Sequence, residues 1–205
     1  MIDEVAKAHL HDHLRWVREV LVSKLDGLSE YDIRRPLTTT GTNLLGLVKH
    51  SAITNARYFG EVFDRPFPEP IPRWDDRAAW YAAFWATEHE TRADLVDFYR
   101  RVWSHSDATI EALDLDARGY VTQHAGEVPL FNVMVHCLSE ANRHAGHADI
   151  LREGLDGAVG DAGSPPLHGR DNVFWEAQRA LIERAAQAAD RIGQGDPSPR
   201  PIARS

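Results

Sequence analysis

Four long stretches of this chain repeat apolar residues every three or four positions, with turn-forming residues between them. That periodicity confines the fold to packed amphipathic helices. Leu10, Leu14, Val17, Leu21 and Leu25 mark the first stripe, which Gly27 and residues 29–36 bring to an end. Thr38 to Thr42 supply hydroxyls and a glycine as the cap region of a second helix. It is expected from Asn43 to Phe63, with Leu44, Leu47, Ser51, Tyr58 and Val62 on one face. RPFPEPIP, Arg65 to Pro72, is a loop, because proline lacks the donor and restricts the residue before it. From Trp80 to Leu113 a third stripe runs through Phe84, Thr87, Thr91, Leu95, Phe98, Val102 and Thr109. A single helix of that length would exceed ~45 Å. Capping boxes at Thr87 with Glu90 and Thr91 with Asp94 instead predict a short helix before Thr87 and the main one after it. Asp114 to Glu127 reads as a loop. Pro129 then opens a fourth helix reaching about Glu153, with Gly154 and Gly157 as stop signals.

No repeat or strand pattern stands out, so the fold class is all-α: a four-helix bundle with an additional C-terminal helix. Residues 1–160 form the bundle. Residues 161–192 form a linker and a C-terminal helix, Val173 to Arg191, whose Trp175–Ile182 face suits packing. Residues 193–205 read as a disordered tail. A chain of 205 residues has room for one sizeable core. No apolar run approaches the ~18 residues of a membrane span, and the N-terminus lacks a secretory pattern. Cys137, the single cysteine, excludes an intrachain disulfide, and a cytoplasmic location is expected. The net charge of −8 argues against nucleic acid and anionic membranes as partners. Only Lys7, Lys24 and Lys49 are lysine among 23 basic residues, a bias that a GC-rich genome explains first. The 11 histidines are a richer clue, since imidazole is the commonest metal ligand.

On a helical wheel, Leu130, Val133, Cys137, Leu151 and Leu155 define the buried face of the fourth helix. Glu140 and His144 fall inside or at the edge of that arc, one turn apart. Burying a carboxylate there costs several kcal/mol unless it is paired or metal-bound. His50 lies beside the face of the second helix that carries Leu47, Thr54 and Tyr58. Two helices thus project His50, Glu140 and His144 toward a shared cavity. Such a set with an open fourth position suits catalytic zinc, and nitrogen ligands also suit nickel or iron. A Glu-x-x-x-His pair is more often a surface ion pair, so spacing alone leaves both readings open.

Longer motifs narrow the choice. TGTNLLGLVKHSAITNARYFGEVF, Thr40 to Phe63, resembles the second helix of the DinB-like superfamily, in its mycothiol S-transferase branch. VPLFNVMVHCLSEANRHAGHADILREGLDG, Val128 to Gly157, is similar to the fourth helix of that branch. His136, Glu140, Arg143, His144, Gly146, His147, Asp149, Arg152, Glu153, Asp156 and Gly157 carry the likeness. ETRADLVDFYR, Glu90 to Arg100, resembles the start of its third helix. The resemblance implies a DinB-like bundle with His50, Glu140 and His144 as metal ligands, zinc by default and nickel as the other candidate. It implies a low-molecular-weight thiol, mycothiol or a relative, as co-substrate. The extra helix near Trp80 and the extension from about Ser164 depart from the branch, so its substrates do not carry over.

A metal with an open position holds a thiol as its thiolate, which predicts attack on an electrophilic small molecule. His147 and His136 are the candidate catalytic residues, as proton acceptors or by orienting His144. Arg143 and Arg152 are the candidate co-substrate binders, although Arg152 with Glu153 and Asp149 also reads as a surface ion network. Three alternatives stand beside the transferase. They are a non-catalytic stress or structural metal protein, a thiol-dependent isomerase, and an interaction domain without metal. A homodimer is expected from the superfamily. His9, His11 and His13 read as solvated side chains before they read as a second metal site. Cys137 reads as an inert small hydrophobe. Trp16, Tyr58, Phe59, Trp80 and Trp85 read as core or interface before pocket wall. His89, His105, His124 and His168 have no partner at ligand spacing.

Overall fold

A computed structural model describes residues 2–121, 126–160 and 171–193. Its elements are α1 (Ile2–Ser23), α2 (Glu30–Arg34), α3 (Leu44–Phe59), α4 (Arg77–Ala82), α5 (Arg92–Ala112), β1 (Arg118–Val121), β2 (Gly126–Pro129), α6 (Leu130–Asp156) and α7 (Asn172–Gly193). The fold is all-α in class. The bundle is built from α1, α3, α5 and α6, with α3 packed on α5 and α6, and α1 packed on α6 and α5.

The second helix is shorter and more deeply placed than its stripe predicts. Asn43 caps α3, its side-chain oxygen accepting from the Gly46 N–H at 2.8 Å. The helix stops at Phe59, and residues 61–63 continue as a single 3-10 turn. All of α3 is buried except Lys49 and Tyr58, so it has no solvent face of the kind expected for a surface helix. Leu45 and Val48 pack with Leu21, Leu25 and Tyr99 toward one end of the core. Phe59 packs with Leu14, Ile110, Leu130 and Met134 toward the other.

Two connections differ from expectation. Residues 29–36 hold the short helix α2, capped by the Ser29 hydroxyl, which accepts from the Asp32 N–H at 3.1 Å. The stretch expected as a loop, Asp114 to Glu127, contains β1 and leads into β2. The two strands pair antiparallel, Arg118 opposite Pro129 and Val121 opposite Gly126. Strands of four residues are too short for a period of two to show in sequence. Gly119 is required there, since a Cβ would stand 2.6 Å from the Val62 carbonyl oxygen. The third region follows the capping boxes: α4 is the short helix, and Thr91 caps α5 by accepting from the Asp94 N–H at 3.1 Å. Thr87 receives half of a capping box, its N–H donating to Glu90 at 2.8 Å, without a helix beginning there. At the end of α6, Gly154 stays helical. Gly157, at φ 75°, is the stop, and its N–H donates to the Glu153 carbonyl.

The chain divides into two compact units, residues 1–163 and 164–205. In the second, α7 is amphipathic, and Val173, Leu181 and Ile182 on it are exposed. Linker residues 161–170 and tail residues 194–205, with His168, lie outside the described residues, as does His124. Among the described residues no helix is long and apolar enough to cross a membrane.

Candidate functional site

The packing of α3 on α6 brings the three expected ligands together inside the first unit. His50 is 5% exposed. Its ring stacks on Phe84, with centroids 4.1 Å apart, and meets Trp80 edge-on at 5.3 Å. It also meets the His144 ring edge-to-face at 5.0 Å. His144 Nε2 lies 3.7 Å from Glu140 Oε2, and the Glu140 side chain, 30% exposed, sits at the rim. A gap of about 10 Å³ bordered by His50, Glu140 and His144 is the size of one water or one ion.

Electrostatics keep these imidazoles neutral. Burial, helped by the neighbouring His144 and Arg57, pushes His50 down to about 3. Burial also lowers His144, against the pull of Glu140. Among the described residues, His50 Nδ1 and both ring nitrogens of His144 are buried without a hydrogen-bond partner, while His50 Nε2 lies 3.5 Å from the Thr54 hydroxyl. Unpaired buried nitrogens of this kind are costly in a finished core. Among the described residues no three His, Cys, Asp or Glu side chains already stand in an arrangement that could hold a metal ion. The donor chemistry nonetheless fits a divalent ion: two neutral imidazoles with free lone pairs and one carboxylate, around an ion-sized gap. Two ligand atoms on a tetrahedral zinc lie roughly 3.3 Å apart at bond lengths of ~2.0–2.1 Å. The observed 3.7 Å between Glu140 and His144 is a little longer than that.

The site separates two spaces. On one side a cavity of about 250 Å³ is lined by His50, Thr54, Arg57, Tyr58, Trp74, Trp80, His136 and Glu140. On the other a groove of about 730 Å³ includes Thr40, Thr42, Asn43, Phe84, Trp85, His144 and His147. His136 is exposed and leans on Tyr58, with rings 4.6 Å apart. His147 is exposed with its ring 5.7 Å from that of His144. The two candidate proton acceptors thus stand on opposite sides.

The candidate arginines are placed elsewhere. Arg143 points outward, 67% exposed, and reaches Glu140 only at 3.7 Å. Arg152 spends its donors on Asp156 at 2.7–3.0 Å and on the Lys24 carbonyl at 2.9 Å, so it ties α6 to the end of α1. Its partner is Asp156, not Glu153 or Asp149 as the spacing suggests, and Asp149 pairs with Lys24 at 2.6 Å. Cys137 is buried beside the gap, and burial pushes its thiol up to about 12, which leaves it inert. Of the N-terminal histidines, His9 and His13 are exposed, while His11 turns inward to lie 2.9 Å from Asp107. Tyr58 and Trp80 wall the smaller cavity, Trp85 borders the larger groove, Phe59 is core, and Trp16 is exposed.

Three further residues of the site escaped the sequence reading. Arg57 is fully buried at the far end of the smaller cavity, beneath Trp74 and Trp80. Phe84 forms the other half of the stack on His50. Arg57 had a signal: it lies seven residues after His50, on the face that also carries Thr54. Trp74 had none, because the connection that carries it shows no period, and Phe84 reads in sequence only as part of the third apolar stripe.

A family model described as mycothiol-S-transferase matches residues 9–157, which is most of the chain and ends at the α6 stop. The comparison with curated proteins found no match.

Proposed function

Because this chain belongs to the mycothiol S-transferase family, we propose that it transfers a low-molecular-weight thiol to an electrophilic small molecule with the help of a divalent metal. The observation that carries the reading is the pair of neutral imidazoles of His50 and His144 beside Glu140, with His50 Nδ1 and both nitrogens of His144 lacking a partner among the described residues. These three residues are the proposed ligands, zinc being the default and nickel the other candidate. A divalent ion held there supplies Lewis acidity, which lowers the pKa of a thiol into the neutral range.

The chain's own residues divide the remaining work. The groove of about 730 Å³, with the Thr40 and Thr42 hydroxyls, suits the larger, polar thiol co-substrate. The cavity of about 250 Å³ suits the smaller electrophile, with room for roughly eight non-hydrogen atoms at ~30 Å³ each. The two reactants then meet at the His50–His144 partition, so that binding supplies proximity. Phe84 and Trp80 cover His50 and keep water from the reacting sulfur. Transfer forms one sulfur–carbon bond, and the thiol proton leaves. His147, on the thiol side and open to solvent, accepts it. His136 and Tyr58, on the other side, stand beside the group that departs from the electrophile.

The test is elemental analysis of the unchelated protein together with conjugation of mycothiol to a reactive electrophile. About one divalent ion per chain is expected, with conjugation abolished by chelation and by His50→Ala. Full metal occupancy after His50→Ala combined with Glu140→Ala refutes the site. Full occupancy of the native protein without conjugation favours a structural metal instead.

A further inference from the structure

Two arginines of the bundle are buried almost completely, and they are treated oppositely. Arg18, 1% exposed, is answered by Asp107 at 2.7 Å and by the Asn55 side-chain oxygen at 3.3 Å. Arg57, 0% exposed, has Nε, Nη1 and Nη2 all buried without a hydrogen-bond partner among the described residues. Among the described residues no carboxylate lies within ion-pair distance of it. Glu61, one turn on and exposed, acts on it only through space. The ring systems of Trp74 and Trp80 lie 4.7 and 5.6 Å from the guanidinium carbon, and their cation–π attraction replaces only part of the lost hydration. A buried guanidinium with free donors is costly, and at a cavity wall an anion is the partner that its fork of donors suits.

We propose that Arg57 recognises a carboxylate on the electrophilic substrate, received in the cavity beneath Trp74 and Trp80. The word electrophilic rests on the transferase reading above; the recognition of a carboxylate does not. A carboxylate matches the fork of donors with two parallel hydrogen bonds. The small cavity, crowded by two indoles, favours this flat group over a tetrahedral anion. Tyr58 adds a hydroxyl donor along the same wall. Arg57 follows His50 by seven residues, about 10 Å along the helix axis. The carboxylate is therefore held away from the carbon that receives sulfur, and Arg57 acts in selection and orientation.

Tryptophan emission reports the event directly, because Trp74 and Trp80 cover the guanidinium. The purified full chain is titrated with butyrate, with its isostere butyramide, and with inorganic phosphate. Butyrate is expected to give a saturable change at concentrations at least tenfold below those needed for butyramide or phosphate. Arg57→Gln is expected to abolish that difference, and Arg57→Lys to reduce it while keeping the charge. Protein stripped of metal and dialysed free of chelator is expected to keep it, so the metal reading can fail while this one stands. In turnover, Arg57→Gln is expected to raise KM for a carboxylate-bearing electrophile, but not for its methyl ester and not for the thiol. Equal titration by butyrate and butyramide in the native chain overturns the proposal, even if Arg57→Gln does not fold. So does phosphate binding as tightly as butyrate, undiminished butyrate binding by Arg57→Gln, or a raised KM for the thiol instead.

Discussion

Gly46→Ala is a sharp test of how the roof of the site is held. Gly46 is on the first turn of α3 and faces the backbone of the segment that follows α4. A Cβ there would stand 2.7 Å from the Phe84 carbonyl carbon, closer still to its oxygen, and 2.9 Å from the Asn43 side-chain oxygen. Ordinary contact begins near 3.4 Å, so the Phe84 backbone must retreat by roughly 1 Å or more. Retreat breaks the bond from Asn43 Nδ2 to the Phe84 carbonyl, now 3.2 Å, and loosens the Phe84–His50 stack. Overpacking costs about 1–3 kcal/mol and the lost hydrogen bond about 1. Against this, alanine in place of glycine within a helix returns about 1 kcal/mol. The net expectation is a loss of about 1–3 kcal/mol, and in a chain of this size a Tm lower by about 2–12 °C. The matching functional signature is faster quenching of tryptophan fluorescence by acrylamide, with slower thiol transfer. A Tm unchanged or raised, as helix propensity alone would give, refutes the reasoning.

Two further outcomes follow from the electrostatics. His50, held at about 3, and His144, also lowered, stay neutral in the folded chain, whereas the unfolded chain protonates them below about 6.5. The unfolded state then binds more protons, so the stability of metal-free protein falls on acidification from about pH 6.5, by up to ~1.4 kcal/mol per pH unit for each histidine. Denaturant midpoints that are flat between pH 6.5 and 5 contradict this. Asp107 accepts from Arg18 at 2.7 Å and from Arg15 at 2.9 Å, with His11 also at 2.9 Å. Asp107→Ala strands the buried Arg18 and should cost about 3–5 kcal/mol in urea unfolding, while Arg15→Ala, which removes a half-exposed partner, should cost less than about 1. Arg18 and the hydrogen bonds hold the Asp107 carboxyl below its ordinary value against the desolvation of burial. Its contribution is therefore intact above about pH 4 and is lost as pH falls further.

The sequence carries the bundle legibly, because long stripes of leucine and valine at helical spacing admit little else, and because Thr91 opens a helix and Gly157 ends one by known chemistry. The cap of α3 is Asn43 and not one of the expected residues 38–42. It also places His50, Glu140 and His144 near one another, since a turn of helix converts spacing into direction. It is silent where local pattern is weak. The β1–β2 pair has four residues per strand, and β1 packs against the 3-10 turn at residues 61–63. The solvent face expected for α3 is absent because three other helices surround it, a tertiary fact that no single stripe encodes. Arg152 and Arg57 exchange importance for the same reason. The first finds Asp156 and a carbonyl of α1, and the second finds no partner, and only assembled helices reveal which.

The residues that hold His50, Arg57, Glu140 and His144 are embedded in α3 and α6, but Trp74, Trp80 and Phe84 come from the stretch between α3 and α5. Selection is thus shared. Arg57 of α3 meets charge, while Trp74, Trp80 and Phe84 shape the walls from a separate piece of chain, joined to α3 at the seam where Gly46 meets Phe84. A bundle so arranged can acquire a new preference in shape by exchanging residues 74–81, none of which is buried in the core. Grafting that piece from a relative is the economical way to redirect it.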